Sequence, residues 1–277
     1  MSSYLSILIF LLTTAFYYIA IKKPLKVGDL SEAGYGAFAQ SNYIRLFIYF
    51  LLVILTQFGF NISAMSSKCG GSISQNMGAA ALLTFIPWTF IFGMVILCLI
   101  MFPGFKSAFS NVIGYFIVST RANSLFADEL LKAPEEVENA IANAGADAGE
   151  QSKLKIAAEA IIKICGNLSI LINNITPANF MEYWIKLTPL MKDGVSNDGE
   201  LKQKLLDIVV QRDNVGEGLW YIYTAVLLTS IVQYNMATRP CTQDLATVQA
   251  SYQGYLEQDK ANQDATNQGA TEYTVGH

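Results

Sequence analysis

Four long apolar segments without a single Asp, Glu, Lys or Arg constrain the fold of this chain more than any other feature. They comprise residues 4–21, 46–62, 78–101 and 219–236. A helix of about 20 mostly apolar residues crosses the hydrocarbon core of a bilayer, and the four segments are close to that length. One such run could be a buried helix of a soluble core. Only 14% of the residues are charged, whereas soluble domains carry about 25%. The sequence therefore predicts an all-α, multi-pass membrane protein with about four spans.

The first apolar segment, residues 4–21, could alternatively be a cleaved signal peptide. It lacks the basic n-region and the A-x-A-like cleavage site that such peptides carry. We therefore expect a retained first span.

Pro87 interrupts the third apolar segment. Proline removes one helical hydrogen bond, so it predicts a bend at this point. In an alternative interpretation the membrane helix begins at Pro87. Residues 87–101 would then cover about 22 Å at about 1.5 Å per residue, which is shorter than the hydrocarbon core of about 30 Å. We therefore expect one longer helix over residues 78–101, kinked at Pro87.

Basic residues in the loops predict the orientation. The second loop, residues 63–77, carries only Lys68, whereas the first loop, residues 22–45, carries Lys22, Lys23, Lys26 and Arg45. Cytoplasmic loops are enriched in Lys and Arg. The first loop and the segment 103–218 are therefore expected in the cytosol, with both termini on the opposite side.

Residues 121–217 are expected to form a small helical domain outside the membrane. The strongest helical pattern covers residues 151–173, and helix starts are indicated at Ala133-Pro134-Glu135-Glu136, at Thr176-Pro177 and at Asp198. This domain contains ten Lys or Arg and fifteen Asp or Glu residues, so its charge does not favour DNA or anionic lipid.

The last segment, residues 239–277, is rich in Gln, Asn, Asp, Thr and Ala. Such a polar tail buries too little apolar area to offset the entropy of ordering it. We therefore expect it to need a partner surface to become ordered.

Residues 102–120 connect the third span to the helical domain and begin FPGFKSAFSNVIGY. Pro103 disfavours helical geometry at Phe102, and Gly104 permits the positive φ of a chain reversal. Lys106 can then reach lipid headgroups, and the aromatic residues Phe105, Phe109 and Tyr115 suit a shelf at the membrane interface. The alternative is one more helix packed beneath the helical domain.

The sequence offers few groups for catalysis or metal binding. Its sole histidine is His277, and the cysteines at positions 69, 98, 165 and 241 are too widely spaced for CxxC motifs. Phosphate-binding loops, a nucleophile elbow and a basic stripe for nucleic acid are also missing. We therefore expect no enzyme activity, no cofactor, no metal site and no nucleic-acid partner.

The motifs around the third span resemble a known group of proteins. They are KCGG at 68–71, NMGAA at 76–80, TFIPWTFIFG at 84–93 and FPGFKSAFSNVIGY at 102–115. Together they resemble a membrane protein of the nucleocytoplasmic large DNA viruses, chlorella viruses and their relatives in particular. In that family a tryptophan often follows the Pro-Gly pair, where this chain has Phe105. The resemblance covers about residues 68–117. It implies a structural or minor capsid protein of the virion's internal membrane, made in host endomembranes, with capsid proteins and copies of itself as partners.

A small channel or transporter is the alternative function. Such proteins place ionisable residues inside the membrane, whereas the four apolar segments contain none. This difference favours the structural function.

Cys69 and Cys241 are the candidate disulfide pair. The predicted orientation places both on the non-cytosolic side, close to the membrane boundary. A bridge requires Cα atoms within about 7 Å, so it requires the third and fourth spans to be neighbours. Cys98 and Cys165 are expected to be reduced and buried.

Overall fold

A computed structural model describes residues 2–70, 73–132, 136, 168–241 and 245–268. The described residues are almost entirely helical, and four helices are long and apolar enough to cross a membrane. This confirms the predicted all-α, multi-pass fold. The expected helix start at 133–136 falls largely outside the described residues. The same holds for Cys165 and for most of the helix expected over 151–173.

The first two spans are helices α1 and α2. Helix α1 covers Ser2–Phe16 and continues through a π-helical turn at Tyr17–Ile21. A 3-10 turn at Val27–Leu30 follows in the loop. Helix α2, Glu32–Cys69, begins after Ser31, whose hydroxyl accepts a hydrogen bond from the Gly34 amide. At 38 residues, α2 is much longer than the predicted span 46–62, because its first turns leave the apolar region and line the first loop.

The third span is one helical segment that passes through Pro87. Helix α3 covers Ile73–Pro87, a π-helical turn covers Trp88–Phe92, and α4 covers Gly93–Met101. The segment extends N-terminal to Pro87, as expected, and begins five residues before the predicted start at 78. The wide turn lies directly after the proline, where the regular helical hydrogen-bond pattern changes.

After the third span the chain makes a compact elbow, defined here as residues 102–114. Phe102 is non-helical (φ −127°, ψ 76°) and a 3-10 turn covers Pro103–Lys106. Helix α5 (Ser107–Phe109), a π-helical turn (Ser110–Gly114) and α6 (Tyr115–Ser124) follow without interruption, and a last π-helical turn covers Leu125–Leu130.

The helical domain is closed by two short helices and one bridge. Helix α7 covers Leu168–Asn174 and α8 covers Phe180–Leu187, which follows the predicted start at Thr176-Pro177. Backbone hydrogen bonds from Lys132 to Leu190 and from Lys192 to Leu130 join the end of the α6 segment to the segment after α8. The core of the domain contains Phe126, Leu130, Ile172, Phe180 and Trp184.

Helix α9, Gly199–Thr238, connects the domain to the membrane without a break. Its first turn is capped by Asp198, whose carboxylate accepts hydrogen bonds from the Glu200 and Leu201 amides. The predicted boundary between the domain at 217 and a separate span at 219–236 is therefore absent from the backbone. Neither a proline nor a left-handed residue interrupts the helix between these positions.

The four spans pack around a cluster of aromatic side chains. Its buried members are Phe10, Tyr17, Tyr49, Trp88, Phe92 and Tyr221. The Tyr17 and Tyr49 rings are stacked with centroids 4.4 Å apart, and Tyr221 lies 5.6 Å from both Tyr49 and Phe92. The centre of the bundle is thus filled by rings contributed by all four spans.

The polar tail contains helix α10, Leu245–Gln268. The composition of the tail predicts no order without a partner, so this helix is a difference from expectation. Helix α10 contains several good helix formers and no proline, and local propensity can form a helix that buries little surface. Its side chains from 252 to 264 are exposed.

Candidate functional site

The elbow is attached to α9 through its aromatic residues. The Trp220 indole Nε1 donates a hydrogen bond of 2.8 Å to the Phe105 carbonyl oxygen. The Phe105 and Phe109 rings lie edge-on to Trp220, with centroids 6.3 Å and 5.1 Å away. The aromatic residues of the motif therefore contact a helix of the same chain.

Two glycines allow the elbow and α9 to approach closely. A Cβ atom on Gly216 would lie 2.7 Å from Ser110 Cβ and 2.8 Å from the Lys106 carbonyl oxygen. A Cβ atom on Gly114 would lie 2.6 Å from the Arg212 carbonyl oxygen. Contacts this short do not occur at real Cβ atoms, so both positions require glycine in this arrangement.

Next to this contact lies an ion cluster formed by Glu217, Asp213, Lys22 and Lys106. Glu217 is 9% exposed, and its two carboxylate oxygens lie 2.9 Å from Lys22 Nζ and 2.9 Å from Lys106 Nζ. Lys106 also lies 3.5 Å from Asp213. Burial alone lowers the pKa of Lys106. The carboxylates of Glu217 and Asp213 outweigh that effect, and they raise its pKa above the ordinary value. Lys106 therefore stays charged at neutral pH.

The ion cluster joins three separate parts of the chain. Lys22 follows the first span, Lys106 ends the Pro103–Lys106 turn, and the two acids lie one helical turn apart on α9. Arg45 adds a further connection, because its Nη1 donates a hydrogen bond of 2.7 Å to the Ile21 carbonyl oxygen. The first loop, the elbow and α9 are thus held together at one membrane boundary.

Arg212 connects the same stretch of α9 to the helical domain. It is 1% exposed, and its guanidinium donates hydrogen bonds to the carbonyl oxygens of Ile172 and Ile175. Within the described part of the chain, no carboxylate lies within 4.0 Å of it. A buried cation is costly unless polar groups solvate it, and two backbone carbonyl oxygens do so here.

One detail of the predicted motif is wrong. Gly104 does not adopt a positive φ; among the described residues, only Gly70 and Gly194 do. The 3-10 turn that begins at Pro103 reverses the chain without left-handed geometry. The ammonium group of Lys106 is paired with Glu217 and Asp213, and its contact with lipid headgroups stays a prediction.

The segment 107–124 combines both alternatives considered for it. One face packs on α9 and on the domain core through Ser110, Gly114, Val118 and Ala122, with Tyr115 partly buried beside them. The opposite face exposes Val112, Ile113, Phe116 and Ile117, and Phe116 is 79% exposed. A helix packed under the domain therefore also presents an apolar surface next to the membrane boundary.

The other end of the bundle is closed by a lysine and a disulfide. Lys68 Nζ donates hydrogen bonds of 2.7–2.8 Å to the carbonyl oxygens of Met236, Ala237 and Arg239 at the end of α9. Cys69 and Cys241 form a disulfide with Cα atoms 5.3 Å apart. Cys98 is a free thiol, but it is half-buried and not fully buried as expected.

Several polar side chains inside the membrane region are paired between helices. Gln57 exchanges hydrogen bonds with Ser6, and Asn61 donates one of 2.9 Å to Thr84. Gln233 on α9 donates to Asn61 at 3.4 Å. Such pairs hold transmembrane helices together. They connect α1 to α2, and α2 to α3 and α9.

Sequence reasoning missed the ion cluster, although a signal for it exists. Asp213 and Glu217 are spaced i, i+4 immediately before an apolar segment, so they share one helix face at the membrane boundary. Lysines end the first span and the elbow turn at comparable depth. Acids placed there need basic partners, and the two nearest loops supply them.

Among the described residues, no group of three or more His, Cys, Asp or Glu side chains is arranged to hold a metal ion. The charged groups of the ion cluster are paired with each other. Comparisons of the chain with protein-family models, with curated proteins and with solved structures find no significant match.

Proposed function

We propose that this chain is a structural membrane protein of a large icosahedral DNA virus, which holds a helical domain rigidly at one face of the virion's internal membrane and links the bilayer to the capsid shell. The observation that carries the proposal is the continuity of α9. Its 40 residues run from the domain into the membrane, and the elbow and first loop are fixed to it by the ion cluster.

Rigid attachment is what a connecting protein requires. A flexible linker would let the domain turn freely, whereas an unbroken helix with buried ion pairs and hydrogen bonds transmits its position to the bilayer. The viral part of the proposal is supported by the resemblance of residues 68–117 to membrane proteins of nucleocytoplasmic large DNA viruses.

The filled interior of the bundle favours this function over transport. Rings from four spans occupy its centre, and several polar side chains are hydrogen-bonded across helices around it. A transporter needs a path for its substrate through the spans. In the described part of the chain, aromatic side chains occupy the place where such a path would run.

Cross-linking mass spectrometry of intact virus particles tests the proposal. The exposed amines of Lys186 and Lys204 lie on the helical domain, and we expect them to cross-link to capsid proteins. Absence of the chain from purified particles, or cross-links to non-structural proteins alone, would contradict the proposal. Flux through proteoliposomes containing only this protein would support transport instead.

A further inference from the structure

Exposed apolar side chains follow the chain from the third span into the segment 107–124. On the span, Met94, Leu97 and Met101 are exposed, as lipid contact requires. Beyond the span, the exposed large apolar side chains are Phe102, Phe105, Val112, Ile113, Phe116 and Ile117. The last four form the outer face of the segment, defined here as the side opposite the one that packs on α9 and on the domain core. Exposed apolar patches of this kind mark surfaces that contact a partner or a membrane.

The outer face differs from the rest of the domain surface in its lack of charge. From Phe102 to Thr120 the single charged residue is Lys106, and its ammonium group is paired with Glu217 and Asp213. Other parts of the domain surface carry exposed charged side chains, among them Glu129, Glu182, Lys186 and Lys204. The outer face is therefore suited to an apolar environment, whereas those parts are suited to water.

The contacts with α9 fix the height of the outer face above the membrane. Ser110 lies against Gly216, and Gly114 lies against Arg212. Gly216 and Arg212 precede Leu219, where the apolar segment of α9 begins, by three and seven residues, so they lie at most about 5 Å and about 10 Å outside it. The headgroup layer on each side of the hydrocarbon core is about 5–8 Å thick. The turn that carries Ser110 and Gly114 is therefore level with the lipid headgroups.

We propose that the outer face is inserted into the headgroup region of the bilayer, so that the helical domain rests on lipid beside its junction with α9. Amphipathic helices at the interface bury their apolar side by about 5–10 Å, which matches the height of this turn. Since the face is uncharged, it requires no anionic lipid. A second copy of the chain is a poorer occupant, because the described part of the domain exposes only two other large apolar side chains, Ile170 and Ile185.

The proposal depends on the membrane spans and not on the viral function, so the two can fail separately. The test uses the full chain in nanodiscs of phosphatidylcholine, with one chain in each disc. Phe116 is replaced by the photoreactive residue p-benzoylphenylalanine. Phe116 is 79% exposed, so the fold tolerates the larger ring. After illumination, mass spectrometry of the tryptic peptides identifies what the probe has reached. We expect phosphatidylcholine adducts, as for the same probe at the lipid-facing position Met94.

Ile185 on α8 is the matched control position. Its side chain is apolar and 65% exposed, and the ring of its neighbour Trp184 lies 5.3 Å from Lys202 Nζ. Lys202 is seventeen residues from Leu219, or about 25 Å along α9, which is well beyond the headgroups. The probe at Ile185 should therefore form no lipid adduct.

Two results would overturn the proposal. The first is the absence of lipid adducts at position 116 when the probe at position 94 forms them. The second comes from discs that hold two chains: cross-links from position 116 to the other chain, in place of lipid adducts, would make the outer face an interface between copies.

Discussion

Glu217 Oε1 lies 2.9 Å from Lys22 Nζ, although 195 residues separate them in the sequence. This ion pair connects the end of the first span to the start of the last one. The other carboxylate oxygen of Glu217 pairs with Lys106. Glu217 therefore joins the first loop, the elbow and α9.

Replacing Glu217 by Gln should destabilise the protein by about 3 kcal/mol, because two partly buried lysines lose a shared carboxylate. Thermal unfolding in a mild detergent, followed by circular dichroism, measures the change. Glu182→Gln is the matched control. It also breaks a close lysine pair, at 2.6 Å from Lys186, but both side chains are about 60% exposed. Its effect should be much smaller, because solvent screens an exposed ion pair. Equal destabilisation by the two variants would show that burial does not strengthen the ion cluster's contribution to stability.

Because the elbow lies so close to α9, adding one methyl group at Gly216 should clearly lower the stability of the protein. Gly216→Ala places a Cβ within 3 Å of three atoms of the elbow and should cost about 1–3 kcal/mol through overpacking. Gly59→Ala is the control, since no atom lies within 4 Å of its added Cβ. Alanine is the better helix former, so this variant should be neutral or slightly stabilising. A neutral Gly216→Ala would mean that the elbow does not rest on α9.

The sequence predicts the number and place of the membrane spans well, but it predicts the ends of the helices poorly. Apolar length and absence of charge located the four spans, because the bilayer imposes those two properties on any helix that crosses it. The same criteria placed the boundaries poorly. Residues 34–45 and 199–218 extend α2 and α9 beyond the predicted spans, and hydropathy does not mark where such a helix begins.

The site was only half visible in the sequence for a related reason. Pro103 and the aromatic residues of the elbow indicate a turn with anchors, but the identity of the anchored surface depends on tertiary packing. Phe105 and Phe109 contact Trp220, more than 100 residues away. Lys106 could be assigned to headgroups or to an acid with equal justification, until α9 places Glu217 beside it.

The contact of Lys68 with the end of α9 predicts local protection. Lys68→Met removes three hydrogen bonds to carbonyl oxygens at the helix terminus and also a favourable charge next to the helix dipole. Hydrogen exchange of the amides from 235 to 241 should become faster, by about tenfold for a loss of roughly 1.4 kcal/mol. Lys26→Met, in the loop at the other boundary, should leave these amides unchanged. Unaltered exchange in Lys68→Met would show that the disulfide alone fixes this end.

The disulfide should resist alkylation in the native protein. Peptide mapping without reductant is expected to give one peptide pair that contains Cys69 and Cys241. The bridge closes a loop of 172 residues, for which the chain-entropy model gives at most about 5 kcal/mol. Spans that stay inserted already restrict the unfolded chain, so the double variant Cys69→Ser/Cys241→Ser should lose clearly less than this bound. Recovery of both cysteines as singly alkylated peptides would contradict the bridge.

The disulfide also bears on orientation, because disulfides persist in oxidising compartments and are rare in the cytosol. If the basic first loop lies in the cytosol, as the sequence predicts, then Cys69, Cys241 and α10 lie on the opposite side of the membrane. Asn174-Ile175-Thr176 is an N-glycosylation acceptor on the exposed surface of the domain and should remain unmodified. Asp264→Thr creates a second acceptor, Asn262-Gln263-Thr, on the exposed part of α10, and it should be glycosylated when the chain is expressed in eukaryotic cells. Glycosylation of each acceptor is measured by a shift in electrophoretic mobility that an endoglycosidase removes. A glycan on Asn174, with none on Asn262 in the variant, would invert the topology and place the helical domain in the lumen.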